Sequence, residues 1–130
     1  MNNEVVQRRN ATVLVVEDEI LVRDMIAEEL RDAGFAVLEA ADGEAASGLL
    51  AADGTVDVLF TDIRLPGQLD GWAIARRARQ VSAALPVIYA TGHTVDRSAE
   101  VPGAIFLSKP YEPSQVVAII DKLLASSRRT

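Results

Sequence analysis

Five side chains that could bind a hard cation or act on phosphorus stand directly after apolar runs in this sequence. Glu17 and Asp18 follow residues 12–16, Asp62 follows 56–61, Thr91 follows 86–90, and Lys109 follows residues 104–108. If these runs share one edge, three carboxylates meet, and their mutual repulsion raises their pKa values. A divalent cation relieves that repulsion. Mg²⁺ suits a site with one or two carboxylates and room for phosphate oxygens. A carboxylate is also a nucleophile toward phosphorus, giving an aspartyl-phosphate. Phosphoryl transfer asks mainly for positioning and charge stabilisation, which a cation, a lysine and a hydroxyl supply. Singly, each residue has a plainer reading. An acidic pair after a strand can cap a helix, and an Asp there is commonly a turn residue. A lone Thr91 reads as structural and a lone Lys109-Pro110 as surface. The conjunction, at four strand ends in order, argues for a site.

The elements that position these groups follow from the pattern. TVLVV at 12–16 is unbroken and β-branched, as in a parallel strand buried on both faces. A helix is expected over 19–33, with Leu21, Met25, Ile26, Glu29 and Leu30 on its stripe and Gly34 just past its end. Further strands are expected at 35–39, 56–61, 86–91 and from 104 onward. Asp42 caps a helix to about residue 52, a third spans 72–83, and a last one opens at Pro113 or Ser114 and runs to about 125. Between Thr91 and Phe106, Gly92, Pro102 and Gly103 confine any helix to two turns, roughly 95–100. Strands alternating with helices call for a parallel sheet with right-handed crossovers. Ligands of such sheets bind beyond the carboxyl ends of the strands.

Composition narrows the class. The chain has 130 residues, 49% apolar and 25% charged, enough for one domain with a core. The net charge of −6 opposes attraction to nucleic acid or an anionic membrane. The absence of cysteine removes disulfides and thiolate chemistry and fits a reducing compartment. Neither end carries a leader or spanning pattern, so the reading is a cytoplasmic protein, with residues 1–10 and 126–130 as tails to a domain at 11–125. No Gly-rich nucleotide motif follows the first strand.

VLVVEDE, LFTDIRLPGQLDGW, PVIYATG and FLSKP together resemble the response-regulator receiver domain of two-component signalling, and the resemblance covers residues 11–125. It implies a doubly wound, flavodoxin-like α/β fold with strand order 2-1-3-4-5. It implies Mg²⁺ and phosphorylation by a sensor histidine kinase or histidine phosphotransfer protein. Carried over by position, Asp62 is the phosphoacceptor and a metal ligand. Asp18 is a direct metal ligand, Glu17 acts through water, and the Arg64 carbonyl is the third protein ligand. Lys109 contacts a phosphoryl oxygen. Thr91 and Phe106 are the switch pair.

Three departures stand out. Asp70 lies four positions after Pro66, one more than is usual, so the loop should bulge. Phe106 lies only 15 positions after Thr91, so the fourth helix is shortened. Phe106 also replaces a frequent tyrosine and lacks its hydroxyl. The YATGH stretch is similar to small stand-alone receivers with an aromatic-Ala-Thr-Gly motif. His93, the sole histidine, is read as an exposed loop residue or an influence on dephosphorylation. Trp72, the sole tryptophan, is read as packed at a helix start and as a fluorescence reporter. An aspartyl phosphatase would want an acid where Arg64 stands, and a phosphate-independent docking module would not need the whole set. The expectation is therefore a non-enzymatic switch that catalyses its own phosphorylation and slow dephosphorylation and acts on a downstream protein target. It is read as a monomer or weak dimer, stand-alone or part of a hybrid kinase.

Overall fold

The computed structural model describes residues 11–53, 55–92 and 96–128. Strands β1 (Thr12–Val16), β2 (Ala36–Ala40), β3 (Val58–Asp62), β4 (Val87–Thr91) and β5 (Ile105–Ser108) form one sheet in the order β2-β1-β3-β4-β5. Every neighbouring pair is parallel. Helices α1 (Ile20–Asp32), α2 (Gly43–Asp53), α3 (Gly71–Val81) and α4 (Pro113–Arg128) make the crossovers and the final cover.

Side chains alternate across a strand, so a strand buried on both faces feeds two cores. On one face Leu14, Val16, Leu59 and Tyr89 join Leu50 of α2 and Ile74 and Ala78 of α3. On the other, Val13, Val15, Phe60 and Ile88 join Ile26 and Leu30 of α1 and Val116 and Ile120 of α4. Because both faces of the sheet are covered by helices, the open ground is at the strand ends.

Several boundaries differ from the sequence pattern. Leu21 and Met25 are exposed rather than inside; α1 buries Ile26, Ala27 and Leu30. With about 3.6 residues per turn, the arc centred on Ile26 and Leu30 leaves Leu21 and Met25 on its outer flank. The two-turn helix expected over 95–100 is a single 3₁₀ turn, Arg97–Ala99, among the described residues. Asp96 caps it by accepting the Ser98 N–H at 2.9 Å, and Gly103 at φ 78° turns the chain into β5. The last helix continues to Arg128, into the segment expected as a tail, because no Gly or Pro interrupts it. The expected tail at residues 1–10 lies outside the described residues.

An acidic site at the strand ends

Register brings the acidic residues together. Val16 of β1 pairs with Thr61 of β3, so Glu17 and Asp62 emerge side by side. The Glu17 N–H extends the ladder to the Ala40 carbonyl at 3.0 Å. On the other flank Asp62 pairs with Ala90 and Thr91 with Ser108. The Lys109 N–H then bonds the Thr91 carbonyl at 2.9 Å, which aims the lysine back along the sheet edge.

Carboxylate oxygens of Glu17, Asp18 and Asp62 lie within 4.8 Å of one another. Glu17 is 2% exposed and Asp62 8%. Lys109 Nζ donates to Asp62 Oδ2 at 2.9 Å and reaches Glu17 Oε1 at 3.5 Å. Glu17 Oε2 accepts the Glu19 N–H at 3.0 Å. Arg23, which the sequence pattern did not single out, donates to the Glu17 carbonyl at 2.9 Å and pairs with Glu39 at 3.5 Å. It fixes the turn from β1 into α1.

The electrostatics follow from burial and crowding. Burial pushes the Glu17 carboxyl up to about 7. The Asp62 charge adds to this, while the Glu19 N–H and Lys109 hold it back. Burial pulls the Lys109 ammonium down, but its bond to Asp62 and the charges of Asp62 and Glu17 outweigh that, and its pKa is raised. One ammonium therefore faces two largely buried carboxylates, with an exposed third, Asp18, beside them. This all-oxygen, net negative donor set fits a small hard cation such as Mg²⁺.

The structure thus unites Glu17, Asp18, Asp62 and Lys109. Thr91 ends β4 at the same edge, and Arg64 is exposed in the loop leaving Asp62. Phe106 stands apart from the pocket. It packs on Tyr89 at 5.0 Å and Trp72 at 5.9 Å, and the Arg97 guanidinium lies 3.8 Å over its ring. Trp72 is half-buried and packed on Tyr89 at 4.7 Å, as its place at a helix start suggested. His93 lies outside the described residues.

Two further residues shape the site. A Cβ on Gly71 would sit 2.2 Å from the Asp62 carbonyl oxygen and 2.7 Å from Ile63 Cα. Only a glycine lets α3 start this close beneath the phosphoacceptor candidate, and its N–H returns to the Ile63 carbonyl at 2.8 Å. Tyr111 reaches the pocket from beyond Lys109. Among the described residues its hydroxyl is buried without a partner, and burial and the charges of Glu17, Asp62 and Glu19 raise its pKa, so it remains a phenol. The sequence pattern began this helix at 72 and singled out neither Gly71 nor Tyr111.

A groove of about 630 Å³ between α2 and α3 is lined by Leu50, Leu69, Arg76, Arg77 and Val81, among others. Among the described residues its lining offers no carboxylate, whereas the strand ends do.

Comparison with known proteins agrees with this geometry. Residues 13–121 match the response regulator receiver domain family. A crystal structure of a response regulator receiver protein from Sinorhizobium medicae superposes with a TM-score of 0.84 at 33% identity, covering 88% of this chain and 94% of that one. The phosphate regulon transcriptional regulatory protein PhoB of Pseudomonas aeruginosa is 33% identical over 92% of this chain and 52% of its own length. The DNA-binding transcriptional regulator NtrC of Salmonella typhimurium is 34% identical over 87% of this chain and 24% of its own length. The chain therefore spans between about a quarter and about half of the curated relatives it matches. With its five-stranded order, its acidic strand-end pocket and this match over most of its length, the chain belongs to the response regulator receiver domain family of two-component signalling.

Proposed function

We propose that Asp62 is the residue that accepts the phosphoryl group, from a phosphohistidine of a sensor histidine kinase or histidine phosphotransfer protein. The observation that carries this is Lys109 Nζ at 2.9 Å from Asp62 Oδ2, inside a cluster of three carboxylates. An Asp62 oxygen attacks phosphorus as the bond to the donor imidazole breaks, leaving an acyl phosphate on Asp62 and a free histidine on the donor. Lys109 neutralises charge on a phosphoryl oxygen, and the Thr91 hydroxyl, on the last residue of β4, meets another. Asp18 and Asp62 would hold Mg²⁺ directly, Glu17 through water, and the Arg64 carbonyl would complete the protein ligands. When bound, the cation supplies charge neutralisation between these carboxylates and the phosphoryl group.

The domain catalyses its own phosphorylation, loses the phosphate slowly by hydrolysis, and changes its contacts with a downstream protein. Cytoplasmic placement follows from this partnership; among the described residues no helix is long and apolar enough to cross a membrane. The short 3₁₀ turn and the Phe106–Arg97 stack argue that the output surface beside β5 differs from that of receivers with a full helix there.

The test is direct. With acetyl phosphate and Mg²⁺, the chain should gain one phosphoryl group by intact mass, and Asp62→Asn should gain none. Beryllofluoride with Mg²⁺ should alter Trp72 fluorescence in the wild type alone. A wild type that stays unmodified and silent, like Asp62→Asn, would instead indicate a phosphate-independent docking module.

A further inference from the structure

The loop leaving Asp62 is secured at its base. Ile63 donates its N–H to the Ala90 carbonyl at 3.3 Å, and Gly71 returns to Ile63 at 2.8 Å. Asp70 accepts the Ala73 N–H at 2.9 Å and caps α3. The crest, residues 66–68, is exposed. It is also the part that carries the additional residue between Pro66 and Asp70.

That crest rests on the start of α2. Glu44 Oε2 accepts the Gln68 N–H at 2.9 Å, across 24 positions of sequence. Gly67 beside it has φ 89°, and a Cβ there would lie 2.8 Å from Glu44 Oε1, so the carboxylate occupies the space a side chain would take. One residue earlier in α2, a Cβ on Gly43 would come 2.3 Å from the Leu69 carbonyl oxygen. Consecutive residues Gly43 and Glu44 thus seat consecutive parts of the loop. The tether is a charge-assisted bond, and the first turn of α2 favours a negative group.

We propose that Glu44 is a positioning residue for phosphoryl transfer: through Gln68 it holds the loop from Ile63 to Asp70 in the arrangement that Asp62 and Arg64 need. The inference rests on the reading of Asp62 as phosphoacceptor. Small misplacements of groups around a reacting centre cost rate steeply, and a loop with one more residue has more arrangements to lose. Glu44 touches none of the reacting groups, so its effect should pass through the loop alone.

The experiment measures the rate of phosphorylation of the intact chain by acetyl phosphate at saturating Mg²⁺, by mass and by Trp72 fluorescence. Glu44→Ala should slow the reaction about three- to tenfold, with a thermal midpoint within about 2 °C of wild type, because the side chain is exposed. Glu44→Gln should stay within about twofold of wild type, since its amide oxygen accepts the same N–H. Gly67→Ala, which pushes on the carboxylate from the other side and strains the turn, should slow it as Glu44→Ala does. Wild-type rates in Glu44→Ala, or equal slowing in Glu44→Ala and Glu44→Gln, would overturn the role of Glu44 while leaving Asp62 untouched. Phosphate uptake by Asp62→Asn would sink the phosphoacceptor reading itself, and this inference with it.

Discussion

Replacing Gly71 and Gly48 by alanine makes one chemical change at two places and should move stability in opposite directions. At Gly71 the new Cβ would lie 2.2 Å from the Asp62 carbonyl oxygen and 2.7 Å from Ile63 Cα. Both obstacles are backbone at the end of a fully buried strand, so neither can swing aside as a side-chain tip would. Relief requires the start of α3 to retreat by about 1 Å, weakening the Gly71–Ile63 bond and the Asp70 cap. Overpacking of this kind plus a weakened buried hydrogen bond costs about 2–4 kcal/mol. For a chain of this size each kcal/mol is worth about 3–5 °C, so the midpoint should fall by roughly 6–20 °C. Gly48 lies inside α2 with nothing within 4 Å of its Cβ position. There alanine removes only the entropic cost of a helical glycine and should add about 0.5–1 kcal/mol, or roughly 1.5–5 °C. Thermal unfolding by circular dichroism reads both. The phosphorylation rate should fall in Gly71→Ala and stay unchanged in Gly48→Ala. If Gly71→Ala melts at or above the wild-type midpoint, the close approach beneath Asp62 is not real.

Other perturbations test the charges directly. Lys109→Met removes the ammonium that faces Asp62 and Glu17; if it stabilises phosphoryl charge as proposed, phosphorylation should slow by about 100-fold or more while Mg²⁺ binds several-fold more tightly, and calorimetric titration and acetyl phosphate kinetics check the two signs. In Mg²⁺-free buffer, Glu17 binds protons more tightly folded than unfolded, since its pKa rises from 4.5 to about 7. Its stabilising protonation is complete below 4.5 and is lost as pH rises through 7. Urea unfolding should therefore show stability declining across that window by up to about 3 kcal/mol, and Glu17→Gln should flatten the decline. On the aromatic cluster, Arg97→Ala should cost only about 0.5–1 kcal/mol because the guanidinium is half exposed, whereas Phe106→Ala should cost about 2–3 kcal/mol.

Much of the scaffold was legible because its causes are local. The β-branched run at 12–16, the alternation of strand and helix patterns and the polar residues after each run announce a parallel sheet with a site at its carboxyl edge. Given that sheet, Glu17, Asp62, Thr91 and Lys109 have little choice but to meet, since register in a parallel ladder is carried strand to strand. The contacts that close the site were not legible. Asp62 and Lys109 stand 47 positions apart, and which carboxylate oxygen the ammonium prefers depends on how deeply each is buried. The buried arc of α1 depended on where two cores fall, which left Leu21 and Met25 outside despite their apolar character.

By itself, then, the sequence determined the order of the elements, the edge at which the reactive residues gather, and the type of chemistry those residues permit, because periodicity and side-chain type act over a few neighbouring residues. Only the tertiary structure decided that Gly71 must be a glycine, that Glu44 carries the crest of the loop 24 positions away, that Phe106 packs between Tyr89 and an arginine rather than toward the acidic pocket, and that the described residues just before β5 make one 3₁₀ turn instead of two α-helical ones. Those features arise from close approaches between segments distant in sequence, where tenths of an ångström of available space settle the outcome and no local pattern records them.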